Sequence, residues 1–185
     1  SDGQALIDTA EGALRESHNV LIRMRELAVQ AQNGTLQTTD KTALGVEFDA
    51  LEAEITRISD NTTWGGIKIL DGSYQGTTTN PSLNAISFRV GSSENITHNI
   101  LNMAATAALG FGTTHTVAQA STIAVVDAAI AKVSEERAKL GAVSNRLDST
   151  VTNLDQIRVN LTASKGRIED ADFALETAKF TKSQI

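Results

Sequence analysis

Cysteine is absent from this chain of 185 residues, proline occurs once, at Pro81, and aromatic residues make up only 4%. Without cysteine there is no disulfide, no thiolate nucleophile and no Cys-based zinc site, so the fold rests on burial alone. With so few aromatics, the 41% of apolar residues must build a core from Leu, Ile, Val and Ala. That favours helix packing over an enzyme fold with an aromatic-lined pocket. The lone proline lies in the middle third and leaves both ends free for long helices. No run approaches the roughly 18 apolar residues of a membrane span, and no charged, apolar and small-residue leader opens the chain; the sequence gives no reason to expect a membrane partner. A basic stripe is missing too. The formal charge is −6, and residues 1–60 carry five Lys/Arg against eleven carboxylates, so nothing stands ready to neutralise nucleic-acid phosphates.

What is present is helical periodicity. Read by sevens, Leu6, Ala13, Val20 and Leu27 form one column, Ile7, Leu14, Leu21 and Ala28 a second, and Ala10, Ser17, Met24 and Ala31 a third. They predict a wide apolar stripe on a helix from near Gln4 to Gln32. Gly34, after Asn33, is suited to a left-handed stop, and Thr39 or Asp40 to an N-cap. A second helix is expected from Lys41 to about Ser59, with a narrow seam of Leu44, Phe48, Leu51, Ile55 and Ile58 that would lie antiparallel on the first. Its other face is acidic, with Glu47, Asp49, Glu52 and Glu54.

The middle third changes character. Ile67 to Leu70 followed by Asp71 and Gly72 predicts a short strand into a turn. Ile86, Phe88 and Val90 alternate with Ser87 and Arg89 as in a half-buried strand. GTTTN and GFGTTHT read as polar connectors.

In the last third Val126, Val133, Leu140, Leu147, Leu154, Leu161, Ile168 and Leu175 recur at every seventh position. A companion column is weaker: Ile123, Ile130 and Val151 are apolar, but Arg137, Ser144, Arg158 and Lys165 are not. Val143 and Ile157 widen the stripe on the other side. A helix of about 60 residues would be about 90 Å long and needs partners along its whole length. Gly141 and Gly166 each cost about 1 kcal/mol relative to Ala in a helix interior, a cost that packing is expected to offset. The fold class is therefore mainly α: an elongated antiparallel helical bundle or coiled coil of two N-terminal helices and one long C-terminal helix, with a small β-hairpin region in the middle. The expected division is 1–60 for the helix pair, 61–120 for the hairpin and loop region, and 121–185 for the long helix of the same rod.

No chemistry-bearing constellation accompanies this pattern. His18, His98 and His115 are scattered and lack HExxH spacing, and each reads as surface or hairpin polar. Glu169, Asp170 and Asp172 lie on a long helix without a nearby His, where acid/base work would need a cleft and a raised pKa. The expectation is no catalytic residue, no cofactor and no metal.

Several strings resemble bacterial flagellin: TAEGALRESHNVLIRMRELAVQAQNGT (9–35), ISDNTTWGGIKILDGS (58–73), FRVG (88–91) and LGAVSNRLDSTVTNLDQIRVNLTASKGRIEDADFALETAKFTKSQI (140–185). They occur in family order at both ends. The resemblance implies a self-assembling filament subunit used for swimming motility, shortened at both ends and with almost no outer domains. It implies an extracellular location reached through the flagellar secretion apparatus. The partners it implies are copies of the same subunit, an export chaperone, the filament cap and a vertebrate Toll-like receptor for flagellin. The matching contact positions are Arg23, Leu27 and Glu47, and Leu27 also stands on the apolar stripe as a core residue. The acidic second helix is expected to face basic groups on neighbouring subunits, among them Arg23 or Arg25. A hook–filament junction protein is the alternative, and a surface adhesin using the hairpin region a more distant one.

Overall fold

The computed structural model describes residues 2–73, 83–90, 94–103, 109–111 and 116–184, without the side chains of 83–85, 171, 172 and 175. The elements are α1 (Asp2–Ala31), α2 (Thr38–Asn61), β1 (Thr63–Trp64), β2 (Ile67–Lys68), β3 (Leu83–Arg89), β4 (Asn95–Leu101) and α3 (Ala120–Gln184). The chain is mainly helical, with two N-terminal helices, one long C-terminal helix and a small antiparallel β region. It divides into two units, Ser1–Ser144 and Asn145–Ile185.

In the first unit the apolar stripe of α1 is the centre of the core. Two of its predicted columns are wholly buried, Ile7, Leu14, Leu21 and Ala28 together with Ala10, Ser17, Met24 and Ala31. Ser17 tolerates burial because its hydroxyl donates back to the carbonyl of Ala13 at 3.0 Å. From α2, Phe48, Ile55 and Ile58 are buried, while Leu44 and Leu51 are half-buried.

The start of α2 differs from the expected cap. Gln37 takes the N-cap position in an extended conformation, and Asp40 stands at the third helical position. Its carboxylate accepts the Gln37 backbone N–H at 3.2 Å, the reciprocal half of a capping box. Gly34 is not a left-handed stop either: among the described residues the glycines with positive φ are Gly65, Gly66, Gly72 and Gly110. Instead α1 unwinds through tight bonds from Gln32 N–H to the Val29 carbonyl and from Asn33 N–H to the Gln30 carbonyl, the short-range pairing that commonly closes a helix.

Gly65 and Gly66, with φ of 58° and 83°, make the two-residue turn that joins β1 to β2, as a tight hairpin demands. The predicted strand at 67–70 is thus only two residues long, and Ile69 and Leu70 turn into the core. Ser59, fully buried at the end of α2, donates its hydroxyl to the Leu70 carbonyl at 2.9 Å and ties this segment down. The larger hairpin pairs β3 with β4 antiparallel, Ile86 opposite His98 and Phe88 opposite Ile96. Ile86 is buried and Phe88 half-buried while Ser87 and Arg89 face out, the alternation expected.

The GFGTTHT segment contains a core residue. Phe111 is fully buried and meets Phe48 edge to face, ring centroids 6.4 Å apart, a geometry that aromatic quadrupoles favour. GTTTN, Pro81 and His115 lie outside the described residues.

On α3, Val126, Val133, Leu140 and Leu147 are buried. The companion column is one position earlier than expected. Thr122, Ala129 and Glu136 are buried, whereas Ile123, Ile130, Arg137 and Ser144 are half-buried. Packing does not explain Gly141 and Gly166, because a Cβ at either would meet nothing within 4 Å.

The second unit is a helix whose apolar side chains beyond Leu147 are open. Leu154, Leu161 and Ile168 are 46%, 64% and 66% exposed, and Val151, Ile157, Val159, Phe173 and Phe180 are exposed as well. The expectation of partners along the whole heptad column is therefore met within this chain only as far as Leu147.

Candidate interaction surface

Arg23, one of two arginines flanking the buried Met24, projects from α1 toward α2. Its Nε and Nη2 donate to Oε1 of Glu47 at 3.0 and 2.7 Å, and Nη1 donates to Glu26 at 3.2 Å. The hydrogen bond to Glu47 is the main cause that raises the Arg23 pKa further above its ordinary value. Both side chains are about half exposed, 50% and 45%. Leu27, one turn along α1, is fully buried in the subunit core. Two of the three predicted contact residues are therefore joined at the surface, and the third lies in the core beside them.

Arg25 turns to α3 and donates from Nε to Asp127 at 2.6 Å. Each of these arginines thus has a carboxylate of its own chain in hand. The rest of the acidic face of α2 is partly satisfied too: Arg57 pairs with Glu54 and lowers its pKa, chiefly through the hydrogen bond. Beside Glu47 the surface becomes apolar, with Val46 66% exposed over an open groove lined by Thr42, Gly45 and Val117.

A polar contact that the sequence did not signal lies on the other side of the unit. Glu136 of α3 is 4% exposed. Its Oε1 lies 3.0 Å from Nε2 of His98 and accepts the Leu101 backbone N–H at 3.3 Å, and Lys139 approaches its other oxygen at 3.8 Å. This carboxylate pins β4 to α3. It acts as a structural clasp, and among the described residues no three His, Cys, Asp or Glu converge to hold a metal. Glu169 and Asp170 are exposed on α3, and the side chain of Asp172 lies outside those described.

Residues 1–75 match the family described as the bacterial flagellin N-terminal helical region, and residues 123–185 match the bacterial flagellin C-terminal helical region. The chain belongs to the bacterial flagellin family. It is 40% identical to the flagellin of Bacillus subtilis (strain 168) over 214 residues, which take in 100% of this chain and 70% of the relative. With the flagellin of Halalkalibacterium halodurans identity is 41% over 191 residues, covering 100% of this chain and 66% of the relative. The crystal structure of Bacillus cereus flagellin is 35% identical, covers 82% of this chain and 85% of its own, and superposes with a TM-score of 0.65. The chain is accordingly a structural, non-catalytic subunit of the flagellar filament. Family membership carries self-polymerisation and an extracellular filament location with it.

Proposed function

We propose that the filament role is carried out by lateral and axial contacts from two faces of the subunit. One is the open apolar edge of α3 at Leu154, Leu161 and Ile168; the other is the Arg23–Glu47 surface on the helix pair, braced from beneath by Leu27. The observation that carries this reading is the open edge. Its heptad spacing equals that of the buried positions Val126 to Leu147, and apolar side chains so spaced stabilise a helix only when a partner covers them. In this scheme residues 1–60, 61–120 and 121–185 act as helix pair, hairpin region and long helix of one rod. Export through the flagellar apparatus with a chaperone, growth beneath the cap, and recognition by a vertebrate Toll-like receptor through Arg23, Leu27 and Glu47 belong to the same proposal. Arginine suits such a contact because its planar fork keeps directional bonds when partly desolvated.

The test is complementation of a flagellin-deletion strain with the full-length gene, scored for filaments by electron microscopy and for swimming. Wild type restores both, and Leu161→Lys abolishes filaments while secreted subunit is still found in the medium. Filaments of normal length from Leu161→Lys would remove the open edge from the assembly. A receptor-reporter assay on secreted monomer comparing wild type with Arg23→Ala decides the receptor contact, an unchanged response counting against it.

A further inference from the structure

We propose that Asn33 is a self-modifying site, at which the Gly34 backbone nitrogen converts the Asn33 side chain through a cyclic imide to aspartate and isoaspartate. In chemical terms the Gly34 nitrogen loses its proton to solvent and attacks Cγ of Asn33. A new N–C bond forms, and Nδ2 takes a proton and leaves as ammonia. Water then opens one of the two imide carbonyls, giving a normal or a β-linked acid. The net change is one amide and one water consumed, one carboxylic acid and one ammonia formed.

Four features of the turn between α1 and α2 meet the needs of this reaction. Residues 32–35 are exposed, so solvent base and water have access. Gly34 has no side chain to obstruct ring closure, and the space where a Cβ would stand is empty out to 4 Å. Its N–H, the nucleophile, meets no acceptor among the described residues, whereas the neighbouring N–H groups of Gln32, Asn33, Thr35 and Leu36 are all engaged. Most telling is the electrophile. Oδ1 of Asn33, the oxygen on which negative charge grows during attack, accepts hydrogen bonds from both the backbone N–H of Thr35 at 3.2 Å and its hydroxyl at 3.0 Å. Donors fixed on a developing oxyanion lower the barrier to its formation.

Asn33 is the only one of the chain's eleven asparagines followed by glycine. Conversion adds a negative charge to the N-terminal segment that already carries the whole net charge. The β-linked product also inserts a backbone carbon into the turn that sets how α2 returns along α1.

The experiment is to age the purified protein at mildly alkaline pH and follow each asparagine by peptide mapping, with ammonia release and isoaspartate measured alongside. Asn33 is expected to convert first, its peptide gaining one mass unit. Thr35→Val should slow it about fivefold, the value of one hydrogen bond of about 1 kcal/mol, and Thr35→Ser should restore the rate. In urea the two Thr35 variants should match wild type, since the hydroxyl is then no longer held in place. Gly34→Ala, which the open space accommodates, keeps the attacking nitrogen but hinders ring closure, and should slow the reaction about tenfold or more with the fold intact by circular dichroism. An Asn33 amide that outlasts the other asparagines, or a native rate indifferent to Thr35→Val, overturns the proposal.

Discussion

Removing the buried carboxylate of Glu136 should loosen the hairpin β3–β4 from α3 more than any surface change of equal size. Glu136→Ala leaves the Leu101 N–H and His98 Nε2 without the oxygen that both now reach, at 3.3 and 3.0 Å. A buried donor stripped of its acceptor costs about 1–3 kcal/mol, and the second hydrogen bond is worth about 1 kcal/mol. Lys139 adds little, because its amine is half exposed. The expected loss is therefore about 2–4 kcal/mol, which lowers Tm by about 5–15 °C for a chain of this length. Glu136→Gln keeps an acceptor oxygen in place and should lose less than half as much. Both variants are read by thermal and urea unfolding. Amide exchange should show protection falling first at Ile96, Ile100 and Leu101. A Glu136→Ala protein within about 0.5 kcal/mol of wild type, with the β4 amides unchanged, would refute the clasp.

Gly141→Ala should stabilise the chain, because the added methyl meets nothing within 4 Å and an interior helical glycine costs about 1 kcal/mol; a rise in Tm of about 2–4 °C is expected by calorimetry, and a fall would reveal a crowding that the space around Gly141 does not show. Asp71 governs part of the acid limb. Burial pushes its pKa up, but hydrogen bonds from the Ser73 hydroxyl and backbone N–H, with the charge of Lys68, outweigh this and hold it below the ordinary carboxylate value. A lowered folded-state pKa means that the unfolded chain takes up protons first as pH falls, so this stability is complete above the unfolded pKa and is lost as pH drops through the folded one. Asp71→Asn should therefore flatten the acid side of a Tm-against-pH curve while costing about 1 kcal/mol or less at neutral pH, and an unchanged acid limb would exclude the assignment.

The helices were legible because their buried positions are apolar and evenly spaced. The stripe of α1, the seam of α2 and the column from Val126 to Leu147 all follow the pattern read from spacing. Two features escaped, and they share one physical cause. Strand β4 turns Ile96, His98 and Ile100 inward, and the histidine interrupts what would otherwise be a plain apolar alternation. The inner companion column of α3 runs Thr122, Ala129, Glu136, where a charged residue again conceals the pattern. Each polar side chain alone reads as surface. They are buried because they answer one another across 38 residues of sequence, and a pairing so distant leaves no local trace. Phe111 was missed for a related reason, since its glycine- and threonine-rich surroundings signal a loop while its ring is held by Phe48 of α2.

The arginines at 23 and 25 are intelligible from helix geometry. Residues two apart on an α-helix diverge by about 200°, so with Met24 fully buried between them the two guanidinium groups emerge at opposite rims of the apolar stripe. One rim borders α2 and the other borders α3, and each carries a carboxylate at the matching height, Glu47 and Asp127. Exposed pairs of this kind contribute at most about 1 kcal/mol each, so burial along the stripe, not the ion pairs, holds the three helices together. Burial alone, however, discriminates less sharply against a slide of one heptad, because apolar positions recur at every seventh residue along α1. A charge matched at one height on each rim sharpens that discrimination, penalising the shifted registers by leaving unlike charges apart and apolar rims against them.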